Sequence, residues 1–232
     1  MNTTSKVSLI AASFFLYNSA SGQDPAAGST AFTADAASTL IRSTVDRAVE
    51  VLKDPALQGR EQRVERHSKL RKISDEVFDW DEMARRSIGV HWRDLNDAQR
   101  KRFVGTFKEL LASHYLSQMD RFQGEEQVQH IGTEKNSEGF VVKTKLVTPS
   151  RAWVPIDFFV NTQREVYDVA IEGVSLSNHY RGSFSRMLVN ATFDEMMTRL
   201  ERKLDVQRRV AEQRGAEGAP KAETAPRSVE DG

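Results

Sequence analysis

Five histidines are the side chains best suited to bind a metal or move a proton: His67, His91, His114, His130 and His179. None stands at a spacing that places two ligands on one helix face or in one turn, and no cysteine is present to join them. The patterns H-E-x-x-H, G-x-S-x-G and G-x-x-x-x-G-K do not occur, nor does a dinucleotide-binding glycine motif. An enzyme acting on lipid or cell-wall substrates would need one such constellation. His114 stands in an apolar helical stripe, but a general base needs a nucleophile or a substrate proton within reach, and the sequence offers neither. It reads as a histidine of the core or of a pocket edge. Asp168 and Arg181 flank the junction between a strand and a helix. Arg181 could contact an anionic headgroup, or it could form a structural ion pair with Asp168 or Asp79, since a buried arginine needs a fixed counter-charge.

Those residues are positioned by an alternation of periods. In YDVAIEGVSLSNHYRGSF, Tyr167 to Phe184, the residues Tyr167, Val169 and Ile171 point one way and Asp168 and Glu172 the other, as in a half-buried strand. At Gly173 the period changes. Leu176, Tyr180, Phe184, Met187 and Leu188 recur at helical spacing behind Ser175 as N-cap.

Upstream, Ala36 to Leu52 reads as a helix that stops before Pro55, followed by a basic helix from about Gly59 to Ser74. Its run of Arg60, Arg63, Arg66, Lys69, Arg71 and Lys72 fits a solvated face, with a membrane or partner surface as the alternative. A short helix spans Phe78 to Val90, with Phe78, Met83, Ala84 and Ile88 inward. Asn96 and Gln99 form a capping box for a long helix reaching about Phe122, with Phe103, Phe107, Leu110, Leu111, His114 and Tyr115 along one stripe. Strands follow at 126–132, 139–148, 152–161 and 165–174 with short connections, which predicts an antiparallel meander. One face carries Phe140, Val142, Leu146, Val154, Ile156, Phe158, Val160, Tyr167, Val169 and Ile171. Pro155 belongs at an edge or bulge. A final helix starts at Thr192 with Glu195 completing its box. The predicted fold class is α+β: a four-stranded antiparallel sheet with helices on one face.

At 232 residues the chain can bury one sizeable core, and 33 basic against 33 acidic residues point to no nucleic acid or other strongly charged partner. Lys6, the apolar run Val7 to Tyr17, and Ala20 and Gly22 read as a signal peptide cut before Gln23. The expected organisation is a signal peptide at 1–22, a flexible linker at 23–34, one domain at 35–206 and a disordered tail at 207–232.

The stretch Tyr167 to Phe184 resembles the MlaC-type, or toluene-tolerance, family of periplasmic phospholipid-binding proteins. The family pattern is roughly Y-D-V-x-I-E-G-V-S-L-x-x-N-Y-R-x-x-F, and the chain matches at Tyr167, Asp168, Val169, Ile171, Glu172, Gly173, Val174, Ser175, Leu176, Tyr180, Arg181 and Phe184. It departs at His179, where asparagine is usual. Phe78 to Trp92 and Gln99 to Tyr115 extend the resemblance, which covers about residues 35 to 205. The resemblance implies a deep apolar pocket for two acyl chains; periodicity alone fits a packed core equally well. The implied lining is Phe107, Leu111, Tyr115, Val142, Val154, Ile156, Phe158, Val169, Ile171, Tyr180, Phe184 and Leu188. Also implied are a shuttle role in outer-membrane lipid asymmetry, an inner-membrane complex of an MCE ring and an ABC transporter, and an outer-membrane lipoprotein bound to a porin. No metal, cofactor or enzymatic activity is implied. A hopanoid carrier and an interaction module without a lipid ligand are the alternatives.

Overall fold

Most of the helix starts are fixed by a side chain at the position just before the helix. The computed structural model describes residues 31–216 apart from 123, 150 and 151; the expected signal peptide, most of the linker and the tail from 217 lie outside the described residues. Thr33 accepts from the amide of Ala36 and starts α1, Ala34–Lys53, and a 3-10 turn at Pro55–Leu57 follows. Gly59 lies at φ +91°, which holds the next helix back, so α2 spans Arg63–Asp75 rather than beginning at Gly59. Asp79 caps α3, Trp80–Ile88, which ends at Gly89, and a 3-10 segment runs to Asp94. Asn96 and Gln99 form the reciprocal capping box of α4, Asp97–Met119.

The sheet runs β1 Gln127–Lys135, β2 Gly139–Val147, β3 Trp153–Asn161, β4 Val166–Ile171 and β5 Val174–Ser175, all antiparallel neighbours in that order. It has five strands, not the four expected. Glu172 and Gly173 both take positive φ, 52° and 78°, so what reads as one strand folds back on itself in a two-residue hairpin. Between β1 and β2, Gly139 (φ +154°) could carry no side chain: a Cβ there would meet the Val160 carbonyl at 2.2 Å. Pro155 is at neither an edge nor a bulge: it pairs with Lys145 in β3, a central strand, and its carbonyl accepts from the Glu172 amide at the end of β4, just before the Ile156–Ile171 pair.

A bulge corrects one facing assignment. The register shifts between Phe159 and Val160, so Val160 pairs with Val166 and Phe159 with Asp168, leaving Tyr167 extra. The Tyr167 ring lies 6.0 Å from Phe159, away from the Val169 face where alternation put it.

Ser175 caps α5, Leu176–Leu188, and Thr192 with Glu195 caps α6, Phe193–Ala216. The last helix reaches Ala216, past the boundary at 207.

Two main cores result. In the sheet core, Ala37 and Ile41 of α1 cover Phe140, Val142, Val160, Val166 and Val169, with Val77 beside them. The helical core joins α3, α4, α5 and α6 through Met83, Ile88, Phe103, Phe107, Phe184, Met196 and Met197. Phe78 and Leu176 pack against both. A smaller cluster of Leu52, Leu70 and Leu116 lies between α1, α2 and α4.

Candidate functional site

Leu176 is the first residue of α5, and its position is set by Asp168. That carboxylate is buried in β4, where one oxygen accepts from the amides of Val169 and Ser177 and the other from the Ser175 hydroxyl. A buried carboxylate holding three donors locks the hairpin and the first turn of α5 into one arrangement. Arg181 does not share in this. It is exposed, donates to the Arg86 carbonyl at 2.8 Å, and lies over Gly89, whose φ of +63° suits glycine. Neither the expected ion pair with Asp168 nor the one with Asp79 is found among the described residues.

From Leu176 both cores grade from packed to open. Along the contact of α4 with α5, Phe103 meets Phe184 at 5.4 Å, and Phe107 meets Tyr180 at 5.4 Å edge-on. Phe103 and Phe107 are fully buried, Leu111 nearly so, and Tyr115 and Tyr180 are only half-buried. On the sheet, Val142 and Val169 are buried, while Ile156, Phe158 and Ile171 are half-buried around the same core. Ile171 pairs with Val174 across the β4–β5 turn, Ile171 and Leu176 both pack against the sheet core, and Tyr180 follows Leu176 by one helical turn. This half-buried apolar seam is the candidate site.

The implied lining thus divides. Phe107, Leu111 and Phe184 are inside the helical core, and Val142 and Val169 inside the sheet core, with little free surface. Tyr115, Tyr180 and Leu188 border the helical core; Ile156, Phe158 and Ile171 border the sheet core; Val154 is half-buried. Phe78 and Leu176, absent from that lining, are the residues that connect the two sides. Phe78, between α2 and α3, forms a bridge to Val166 of β4, and Leu176 stands where the sheet gives way to α5.

Away from the seam, two clefts among the described residues have linings with many charged side chains. One of about 480 Å³ between α1 and α2 is lined by Arg47, Glu50, Asp54, Lys69, Lys72 and Glu76 together with Val51, Leu57 and Ile73. Another of about 280 Å³ includes Arg60, Arg63, Arg66 and Asp120.

The basic run on α2 is only partly a solvated face. Arg66 is buried, donating to the Leu57 carbonyl at 2.7 Å and to Asp120 at 2.5 Å, and Arg71 pairs with Glu109. His67 also meets Asp120, at 2.8 Å; burial outweighs that carboxylate and holds the imidazole below its ordinary pKa.

The cluster that most resembles catalytic machinery is His130 with Ser38. The Ser38 hydroxyl lies 3.0 Å from His130 Nε2 and 2.6 Å from the Thr133 hydroxyl. Arg42 donates to Nδ1 at 2.9 Å, which places the ring proton on Nε2. A ring protonated there cannot take the serine proton, so the group serves to fasten α1 to β1. His114, assigned to a core or pocket edge, is exposed, its ring edge-on to Tyr115 at 4.9 Å. No group of three or more metal-binding side chains occurs among the described residues, and none of their helices is long and apolar enough to cross a membrane.

The family model for the MlaC protein matches residues 42–202. The fold is shared with a phospholipid-binding protein from Ralstonia solanacearum, solved in complex with a phospholipid. The TM-score is 0.65 at 18% identity, over 74% of this chain and 98% of that one. No curated protein matches in sequence.

Proposed function

The chain belongs to the MlaC family, and we propose that it is a periplasmic carrier that holds a phospholipid by its acyl chains between α4, α5 and the apolar face of the sheet. The observation that carries this reading is the half-buried apolar seam at Leu176, where Ile171, Tyr180 and the two cores converge. The Ralstonia protein of the same fold, named as phospholipid-binding, supports the choice of cargo. On this reading the chain is not an enzyme.

The energetics explain why such a carrier needs partners. Burying a methylene is worth about 0.8 kcal/mol, so two chains with about 30 methylenes gain on the order of 20 kcal/mol over water. They gain little over a bilayer, which is equally apolar. The lipid does not escape into water but can pass by direct contact, and we assign the contacts to an inner-membrane MCE and ABC transporter complex and an outer-membrane lipoprotein–porin complex. Export by the segment 1–22, with a mature terminus near Gln23, places the protein between them.

The test is solvent extraction of the folded, purified protein followed by mass spectrometry. Diacyl phospholipid recovered without any being added is the expected result. A hopanoid would keep the carrier and change its cargo, and repeated recovery of no lipid would overturn the proposal.

A further inference from the structure

Two phenol groups in the seam have no use that the fold itself supplies. Tyr115 extends the Phe107–Leu111 stripe of α4 by one turn, and Tyr180 is one turn beyond Leu176 on α5. Both rings pack against the helical core. Tyr180 is held edge-on by Phe107 and tilted against Phe184. Both residues are half-buried. Among the described residues neither hydroxyl has a hydrogen-bond partner, although a tyrosine at a partly buried site usually finds one. The structure therefore presents two neighbouring hydrogen-bond donors at the half-buried border of the helical core.

The surroundings identify the acceptor. Burial raises both pKa values, that of Tyr115 to about 12 with the neighbouring Tyr180 adding to it. The phenols stay protonated and neutral. Arg181, the residue that could have answered an anionic headgroup, is turned to the Arg86 carbonyl. A phosphate brought here would lose hydration, and the imidazoles beside the two phenols are His114, edge-on to Tyr115 at 4.9 Å, and His179, edge-on to Tyr180 at 5.5 Å. A neutral carbonyl meets a matched neutral donor.

We infer that the hydroxyls of Tyr115 and Tyr180 hold the ester carbonyls of a diacyl lipid, fixing the depth at which its chains enter the seam. The inference rests on the carrier reading and names the part of the cargo that the site recognises. The site then distinguishes a diester lipid from a lipid with the same headgroup and chains joined by ethers.

Tyr115→Phe, Tyr180→Phe and the double variant keep the rings, and thermal melting checks that the fold is retained. Delipidated protein is loaded in competition with dioleoyl phosphatidylglycerol and its diether analogue, and bound lipid is counted by mass spectrometry. Two neutral hydrogen bonds predict a diester preference of roughly tenfold in the wild type. The double variant, still loading lipid, shows a preference near one. A wild type that takes both lipids equally, or a double variant that keeps the preference, overturns the inference and leaves the carrier standing. Equal loading of both lipids that weakens in the double variant assigns the hydroxyls to the phosphate instead, which also overturns it. A wild type that loads neither lipid overturns the carrier reading and this inference with it.

Discussion

The two ends of the α4–α5 contact are built from the same kinds of residue and differ in what lies behind them. At the Phe103–Phe184 end, Phe193, Met196 and Met197 of α6 complete the enclosure. At the Tyr115–Tyr180 end the rings are only half-buried against the helical core, and Phe78 and Leu176 are among the residues that pack against both that core and the sheet core. One end is a closed core and the other an open seam. An apolar stripe on one helix is therefore enclosed along one stretch and half-exposed along another.

Breaking the closed end has the largest effect. Phe103→Ala removes a fully buried ring in contact with Phe107, Phe184 and Phe193 and is expected to cost about 3–5 kcal/mol, read by denaturant unfolding. A loss under about 1 kcal/mol would mean that this end is as open as the other.

Filling the open end works the other way. Ile171→Trp places a large ring on a half-buried position, so the empty protein keeps its cooperative melt, with a stability change within roughly 1 kcal/mol. Co-purified lipid should fall severalfold, and with it the stabilisation that bound ligand confers. An unchanged lipid load with intact folding would remove Ile171 from the seam. Leu111→Trp tests the boundary less cleanly, because Leu111 is only 4% exposed and overpacking would strain the closed core as well.

The smallest effect concerns the covering of the sheet rather than the seam itself. Burial first, and then Arg42, hold the His130 imidazole below its ordinary pKa near 6.5. A folded-state pKa that is lowered gives stability complete above about 6.5 and lost as pH falls through the lower folded value. Charging the ring sets it against Arg42 and loosens α1 from β1. Melting temperature is expected to drop by a few degrees between pH 7 and pH 5, and less in His130→Gln, with His67 supplying part of the remainder. Identical pH profiles for the wild type and His130→Gln would show that the α1–β1 link does not titrate.

Much of the fold was legible because its signals are local. The boxes at Asn96–Gln99 and Thr192–Glu195 and the cap at Ser175 each depend on residues three apart, and all three form. The β5 hairpin was hidden because Glu172, a residue with no special liking for positive φ, shares the turn with Gly173. The bulge at Tyr167 depends on register against Phe159, which no single strand encodes. Arg66 read as one more exposed cation because its partners, Asp120 and the Leu57 carbonyl, belong to other elements. The candidate site suffered most from this. Periodicity gave the apolar faces of α4, α5 and the sheet, but where those faces part company is decided by Asp168 and Leu176 at the junction.

Photo-crosslinking tests the central claim, that lipid occupies the open seam, most directly. Benzoylphenylalanine is placed at Phe158, half-buried on the sheet face, and in a separate variant at Val189, an exposed position just beyond α5. Irradiation of lipid-loaded protein followed by intact-mass measurement should give a protein–phospholipid adduct at 158 and none above background at 189. Equal adducts at both positions, or none at 158 in protein shown to carry lipid, would contradict it.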